Sequence, residues 1–281
     1  MHVLHANPPR RSARRSPNSP RWSSFDNINA PAKHPSLIYL SPRHLLSTLR
    51  HVSTSSYDPN EFPAFAVTVD LVVLTVRPPT LEVLLLRRPE APAKGKWALP
   101  GGFVKPDQDL VDAAEFKLAD KTGIIVDRAH LEQLQTFGKP KRDPRMRIVS
   151  VSYLAMVADP PAAELDNASW IPVDDVKTKS LAFDHADILA AGVERARSKL
   201  EYTTLGTSFC GAEFTMGELR AVYEAAWGTP LDAANFHRKV MATNGFVEPT
   251  GRTESSGPGR PARTYTAGDA DALHPAIVRP A

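Results

Sequence analysis

Residues 61–200 contain runs of β-branched and apolar residues, and also segments in which apolar residues recur every three to four positions. The first pattern is typical of strands and the second of amphipathic helices. By these criteria the chain is predicted to contain four strands and two helices, in the order strand 65–76, strand 81–86, helix 109–121, strand 147–157, strand 170–173 and helix 184–200. Strands and helices mixed without an internal repeat predict an α+β domain over residues 61–200.

A different pattern begins after residue 200. Thr215-Met216-Gly217-Glu218 fits a capping box, which predicts a helix from Thr215 to about Trp227. After a break at residues 228–231, Asp232 is suited to cap a second helix that ends near Thr243. Strand candidates at 246–250 and 262–266 flank a basic segment rich in Gly and Pro. This order predicts a winged helix-turn-helix over residues 201–275, followed by a tail at 276–281.

The N-terminal arm, residues 1–60, differs from the rest in charge. It holds eight prolines, and its 8 basic and 2 acidic side chains leave 26 basic and 29 acidic ones for the other residues, so the arm accounts for the net charge of +3. Its apolar residues are too scattered to bury the area that ordering requires, and we predict a mostly disordered arm. Either a translated leader or a non-specific nucleic-acid arm is consistent with this composition.

Composition also excludes two classes of protein. The single cysteine, Cys210, can form neither an intramolecular disulfide nor a four-ligand zinc site, which excludes a disulfide-stapled secreted module. The least interrupted apolar stretch, residues 65–76, contains Asp70 and is shorter than the roughly 20 residues that span a bilayer. We therefore expect a cytoplasmic protein without a membrane segment.

The residues after Trp97-Ala98-Leu99-Pro100-Gly101-Gly102 carry a further motif. From Gly102 to Ile124 the chain resembles the Nudix box of the Nudix hydrolase superfamily, which reads G, five residues, E, seven residues, R-E-U-x-E-E-x-G-U, with U aliphatic. The chain keeps the structural positions, Gly102, Leu118, Gly123 and Ile124. At the positions of the first Glu, the Arg and the other three Glu it has Gln108, Phe116, Lys117, Asp120 and Lys121 instead.

These replacements remove the groups that hydrolysis needs. Cleaving a pyrophosphate requires a divalent metal held by clustered carboxylates. At 100° per residue, Lys117, Asp120 and Lys121 share one helix face, and a carboxylate between two ammonium groups repels Mg²⁺. Asp112 and Glu115 lie about 140–160° around the helix from position 117 and cannot substitute. We predict a non-enzymatic domain with no catalytic residues, no metal site and no required cofactor.

The same lysines can instead bind a ligand. Lys117 and Lys121 can lie beside a diphosphate as point charges, although a solvated helix face explains them equally well. The resemblance implies basic groups near the phosphates at Arg87 and Arg88, and an aromatic beneath a sugar or base at Trp97. We predict these five as ligand-binding residues. A basic run from Lys139 to Arg147 is also able to touch a phosphate, although such runs are usually solvated.

The winged helix-turn-helix has its own candidates. The second helix of such a motif enters the major groove, so its early exposed residues should be polar, whereas Phe236 and Val240 can face the core. An ordinary amphipathic helix has the same apolar spacing. The predicted DNA-binding residues lie on this helix and on the wing: Asn235, His237, Arg238, Lys239, Arg252, Arg260 and Arg263.

A degenerate Nudix domain followed by a winged helix resembles the family of Nudix-related transcriptional regulators. The resemblance covers roughly residues 61–270, and it implies a bacterial repressor of NAD biosynthesis or salvage genes. In such a repressor the Nudix domain senses ADP-ribose or a related NAD metabolite, and a homodimer binds a palindromic operator. Phe183-Asp184-His185 resembles a sequence that begins the last Nudix-domain helix of these regulators, and we interpret Asp184 as its cap and His185 as packing at its base.

Two alternatives remain open at this point. The chain could be an active ADP-ribose pyrophosphatase with an accessory C-terminal domain, which metal-dependent turnover would reveal. It could also be a partner-binding scaffold in which neither site works. Loss of salt-sensitive operator binding on replacing Arg260 would argue against a scaffold.

Overall fold

A computed structural model describes residues 58–125, 131–160, 167–255 and 261–280. The predicted disordered arm therefore lies outside the described residues, except for its last three positions. The tip of the wing, residues 256–260, lies outside them as well.

Seven strands in the described part of the chain form one mixed sheet. They are β1 (Ala66–Arg77), β2 (Thr80–Arg87), β3 (Trp97–Ala98), β4 (Gly101–Phe103), β5 (Leu131–Phe137), β6 (Ile148–Met156) and β7 (Ala168–Pro172). β1 lies in the middle, antiparallel to β2 and β4 and parallel to β6. β3 and β7 pair with β2, and β5 pairs with β6 at one edge. The predicted strands 65–76 and 81–86 are confirmed as β1 and β2, which a short turn joins into an antiparallel pair.

The two helices of this region begin and end close to their predicted bounds. α1 (Leu110–Thr122) begins after Asp109, whose carboxylate accepts from the Val111 N–H, and ends at Gly123, which has a φ of 72°. A left-handed residue at this position closes the last turn at little cost when it is glycine. α2 (His185–Tyr202) continues two residues past the expected end at 200.

Each face of the sheet has its own apolar core. Odd-numbered residues 69–73 of β1 pack with α1 on one face, and even-numbered residues 72–76 pack with α2 on the other, because successive strand residues point to opposite sides. α2 crosses β1 at Gly192, where a Cβ would lie 2.6 Å from Val72 Cγ1. A larger residue at this crossing would force the helix and the sheet apart.

The C-terminal part contains two helices and a small sheet. α3 (Met216–Trp227) begins with the predicted capping box, since Thr215 and Glu218 each satisfy the other's backbone N–H. α4 (Ala233–Ala242) is capped by Asp232. Strands β8 (Phe214–Thr215), β9 (Val247–Glu254) and β10 (Ala262–Ala267) form a three-stranded antiparallel sheet in the order β8-β10-β9. Helix, turn, helix and hairpin are all confirmed.

The C-terminal helices pack directly on the first sheet. One continuous core joins residues of β1, β2 and α2 to Leu219, Val222 and Tyr223 of α3 and to Phe236 of α4. Arg197 of α2 donates to the Ala226 carbonyl at 2.9 Å, and Trp227 Nε1 donates back to the Arg197 carbonyl at 3.2 Å. The two predicted domains therefore share a core.

Several features differ from the expected pattern. β3, β4 and β8 are only two or three residues long and were not predicted as strands. β5, Leu131–Phe137, was not predicted, because its sequence LEQLQTF is half polar and the strand lies at the edge of the sheet. The predicted tail, residues 276–281, is packed onto the fold, because Ile277 is buried in the shared core. None of the helices in the described ranges is long and apolar enough to cross a membrane.

Candidate functional site

An open cavity of about 140 Å³ lies where β1, β4, the loop 138–147 and the beginning of α2 meet. Its lining combines backbone from the glycine motif with charged and aromatic side chains: Thr68, Asp70, Arg88, Ala98, Leu99, Gly101, Gly102, Phe103, Arg142, Asp143, Arg145, Phe183 and His185. Because pockets that enclose a whole drug-sized ligand measure about 300–1000 Å³, this cavity takes only part of a nucleotide.

The floor of the cavity is a buried ion cluster. Arg142, whose side chain is 4% exposed, donates to both oxygens of Asp184, at 2.8 Å from Nε and 2.6 Å from Nη2. Its Nη2 also lies 3.5 Å from Oδ2 of Asp70, which accepts a hydrogen bond from Ser150. Burial alone would lower the pKa of Arg142, but the two carboxylates raise it. The cluster fixes the loop to β1 and to Asp184, the residue that precedes α2.

His185 lies beside this cluster in its neutral form. The Leu99 N–H donates to His185 Nδ1 at 2.9 Å, so the ring proton lies on Nε2, 3.7 Å from Asp70 Oδ1. Burial lowers the pKa of His185, which outweighs the opposing effect of Asp70. His185 thus connects the glycine motif to α2, and its predicted packing at the base of this helix is confirmed.

The interpretation of Asp184 as a helix cap is wrong for its side chain. Asp184 occupies the N-cap position, but its carboxylate makes no capping hydrogen bond. It binds Arg142 instead, because a bidentate guanidinium in a buried site is a stronger partner than a helix N–H.

The mouth of the cavity has two arginines on one aromatic ring. The guanidinium carbons of Arg88 and Arg145 lie 4.9 Å and 5.7 Å from the centre of the Phe183 ring, and that of Arg145 lies 4.9 Å from the Phe103 ring. Arg145 is paired with Asp143. Burial and the nearby Arg145 lower the pKa of Arg88. Phe183 has a φ of 51°, a conformation that bulky residues rarely adopt.

The five predicted ligand residues do not gather at this cavity. Arg88 lines the cavity, whereas Arg87 and Trp97 are outside its lining. The guanidinium carbon of Arg87 lies 4.2 Å from the centre of the Trp97 ring. The Lys117 side chain packs next to Gly102, where an added Cβ would lie 3.1 Å from Lys117 Cε. Lys121 is exposed and lies 3.5 Å from its neighbour Asp120.

The residues of this region do not fit a divalent metal. Among the residues that the structure describes, no three His, Cys, Asp or Glu side chains are grouped so that they could hold an ion. On the relevant face of α1, Lys117 is half-buried and Asp120 and Lys121 are exposed. No step that depends on a metal can be derived from this arrangement.

Three of the predicted DNA-binding residues project from α4 into solvent. Phe236 and Val240 are buried, and Asn235, His237 and Arg238 are exposed on the other side. Arg238 donates to the Asn235 side-chain oxygen at 2.8 Å, so the guanidinium is already oriented before any partner binds.

The remaining DNA-binding candidates are placed differently. Lys239 lies on the flank of α4 and donates to the Val278 carbonyl at 3.1 Å. Arg252 on β9 is paired with Glu213, and Arg263 on β10 is exposed. Arg260 falls outside the described residues.

Sequence reasoning missed most of the cavity. Asp70 and Asp143 were not predicted as site residues, and Arg142 and Arg145 were predicted only as members of the basic run. The signals were available, since the run supplies both arginines and Phe183-Asp184-His185 supplies the rest. The cluster was missed because its members are up to 114 positions apart in sequence, from Asp70 to Asp184.

Comparisons with known proteins agree with this two-part structure. The sequence model of the NUDIX domain matches residues 65–192, and the model of the NrtR DNA-binding winged helix domain matches residues 206–267. The ADPR responsive transcriptional repressor NtrR of Acinetobacter baylyi is 36% identical over 217 residues, which are 75% of this chain and 85% of that protein. An ADP-ribose pyrophosphatase of Methanocaldococcus jannaschii is 32% identical over 109 residues, 38% of this chain and 63% of that protein.

A solved structure has the same architecture. The Shewanella oneidensis NrtR complexed with a 27mer DNA matches with a TM-score of 0.59 and 32% identity, over 72% of this chain and 93% of that one. The expected α+β class, a Nudix fold followed by a winged helix, is thereby confirmed. The chain belongs to the NrtR family of Nudix-related transcriptional regulators.

Proposed function

We propose that this protein is a DNA-binding transcriptional repressor of NAD biosynthesis or salvage genes, and that ADP-ribose bound at the cavity controls its affinity for DNA. The winged helix binds a palindromic operator as part of a homodimer, so that each α4 reads one half-site. The relative from Acinetobacter, named as an ADPR responsive transcriptional repressor, supports repression and the response to ADP-ribose.

One observation carries the proposal. A single core joins the domain that holds the cavity to a winged helix whose α4 presents Asn235, His237 and Arg238 to solvent. These side chains have the donors and acceptors that read base edges in the major groove. A hydrolase has no need of such a helix.

The cavity favours an anionic ligand. The positively charged Arg88 lies near the positively charged Arg145, and Arg88 Nε donates to the Pro92 carbonyl at 2.9 Å. The guanidinium groups of Arg88 and Arg145, both over the Phe183 ring, can bind the oxygens of a diphosphate. The negative charge of the diphosphate would reduce the repulsion between the two arginines. Phe103, 39% exposed at the rim, offers a surface on which a sugar or base can lie. We therefore assign the diphosphate of ADP-ribose to Arg88 and Arg145.

Binding occurs without hydrolysis in this proposal. Lys117 and Lys121 stand where the Nudix box has metal-binding glutamates, and in the cluster on the cavity floor the guanidinium of Arg142 already lies against both carboxylates. Neither arrangement attracts Mg²⁺.

A gel shift and a hydrolysis assay test the proposal together. Duplexes selected by the full chain from a random pool are titrated with ADP-ribose, NAD or nicotinamide mononucleotide, and ADP-ribose turnover is measured with Mg²⁺. We expect sequence-specific binding that ADP-ribose changes, and no turnover. Turnover without specific DNA binding would identify a pyrophosphatase, the activity of the Methanocaldococcus relative.

Replacing Arg88 with alanine should weaken ADP-ribose binding. A hydrogen bond to a charged group contributes about 1.5–3 kcal/mol, so we expect the Kd to rise by roughly 10- to 150-fold in a calorimetric titration. The matched control is the adjacent Arg87→Ala, because Arg87 lies over Trp97 outside the cavity. A larger loss for Arg87→Ala than for Arg88→Ala would reverse the assignment.

Replacing Arg238 with alanine should reduce sequence discrimination. A bidentate contact to a base contributes about 1–3 kcal/mol, so the ratio of specific to non-specific affinity should fall by roughly 5- to 150-fold. Asn235→Ala should have a smaller effect of the same kind, because Asn235 orients Arg238. Arg195→Ala, in which the lost guanidinium pairs with Glu132, is the control. An unchanged preference among operators would remove Arg238 from the reading residues.

A further inference from the structure

The chain continues past the winged helix and returns along the outside of the fold. The winged helix model ends at residue 267, and the segment 273–279, called the strap below, follows. Leu273 and Ile277 of the strap are 4% and 1% exposed and belong to the shared core. A segment buried in this way is part of the folded protein rather than an appendage.

The strap is bonded to the C-terminal end of α2. The Leu273 N–H donates to the Tyr202 carbonyl at 2.9 Å, and the Ile277 N–H donates to the Glu201 carbonyl at 2.8 Å. Arg279 makes a bidentate pair with Glu194, and its Nε lies 3.4 Å from Glu201. This guanidinium therefore spans two carboxylates that are seven residues, about two turns, apart on α2.

The strap is bonded to α4 as well. Lys239 donates to the Val278 carbonyl at 3.1 Å, and Thr243 Oγ1, just after α4, donates to the Pro275 carbonyl at 3.1 Å. Ile277 and Val278 also line a cavity of about 190 Å³ together with Asn235 and Phe236 of α4. The strap thus contacts both α4, the proposed DNA-reading helix, and the C-terminal end of α2.

The opposite end of α2 lies at the ligand cavity. Asp184 and His185 begin this helix, and both belong to the buried cluster or line the cavity. Eighteen helical residues span about 27 Å, so α2 reaches from the ligand cavity to the strap. A change in position at the cavity end would reach the strap directly.

We propose that the strap couples the ligand cavity to the recognition helix, with Arg279 as the positioning residue that holds the strap, and through it α4, against α2. This rests on the proposed function for its physiological meaning. The positioning itself is a property of the fold and is measurable without DNA. Under this proposal Lys239 binds the strap and does not contact the operator.

The test measures the distance between α2 and α4 in the full chain. Nitroxide labels are placed at Ala190→Cys and Ala234→Cys, both exposed positions, in a Cys210→Ser background, and pulsed electron resonance gives the distance distribution. We expect one narrow distribution that ADP-ribose shifts. Arg279→Glu, which places a third carboxylate beside Glu194 and Glu201, should broaden it and remove the shift. Arg279→Lys keeps the charge but not the fork that spans both carboxylates, and its effect on both should be smaller than that of Arg279→Glu. Arg77→Ala, which breaks an ion pair in the β1–β2 hairpin, should change neither.

The same variants are compared in gel shifts. Coupling between two sites commonly changes affinity 5- to 150-fold, and we expect ADP-ribose to change operator affinity by less than about 3-fold in Arg279→Glu while ADP-ribose itself still binds. A merely structural role would weaken both binding events and leave their ratio intact, which would overturn the proposal. So would intact binding with a distance that neither ADP-ribose nor Arg279→Glu changes. Absence of ADP-ribose binding or of specific DNA binding in the parent would instead reject the proposed function.

Discussion

Replacing Arg142 with methionine is expected to destabilise the protein by about 3–5 kcal/mol, because it leaves two carboxylates buried without a counter-charge. Asp70 and Asp184 are nearly inaccessible, and Arg142 is bonded or close to both. Methionine fills a similar volume, so the loss reports the charge rather than a void. At roughly 2–4 °C per kcal/mol for a domain of this size, the midpoint of thermal unfolding should fall by about 6–20 °C.

The matched control for Arg142→Met is Lys139→Ala. Lys139 lies in the same loop as Arg142 and pairs with Asp187 of α2, but both side chains are well exposed, at 74% and 54%. An ion pair in water contributes little to stability, so no measurable change in the unfolding midpoint is expected. Equal midpoints for the two variants would mean that water reaches Asp70 and Asp184, which the packing of the cluster contradicts.

Replacing Gly101 with alanine is expected to cost about 1–3 kcal/mol and to weaken ADP-ribose binding as well. A Cβ at this position would lie 2.3 Å from the Val69 carbonyl oxygen and 2.7 Å from Asp70 Oδ1. The first of these atoms belongs to the backbone of β1, which pairs with β4 here, so the strands must separate. The shift would displace Asp70 in the wall of the cavity.

The neighbouring glycine provides the comparison. A Cβ on Gly102 would meet the flexible end of Lys117, at 3.1 Å from Cε, and that side chain can move aside. Gly217→Ala, in the first turn of α3, would meet Thr215 Oγ1 at an ordinary 3.7 Å and should stabilise the protein by about 0.4–1 kcal/mol. Denaturant unfolding of the three variants checks this order. Equal losses in the free energy of unfolding for Gly101→Ala and Gly102→Ala would show that the close approach of Gly101 to β1 does not determine the loss.

Features that depend on residues a few positions apart were predictable from the sequence. The capping box at Thr215 and Glu218, the cap of α4 at Asp232, the first two strands and the buried pair Phe236 and Val240 were all predicted and are all confirmed. Local hydrogen bonds and the period of apolar residues specify such features, because both act within one or two turns of a helix or along one strand. The order of the elements then indicated the family.

Which charged residues meet depends on tertiary packing. Arg142 is 42 positions from Asp184 and 72 from Asp70, and no local pattern separates it from Lys139, which remains in solvent. The same holds for the strap, whose Arg279 reaches back to Glu194, and for Arg87 and Arg88, of which only the second lines the cavity. A strand or loop places neighbouring side chains on opposite sides, and the packing of distant elements determines which side becomes a site.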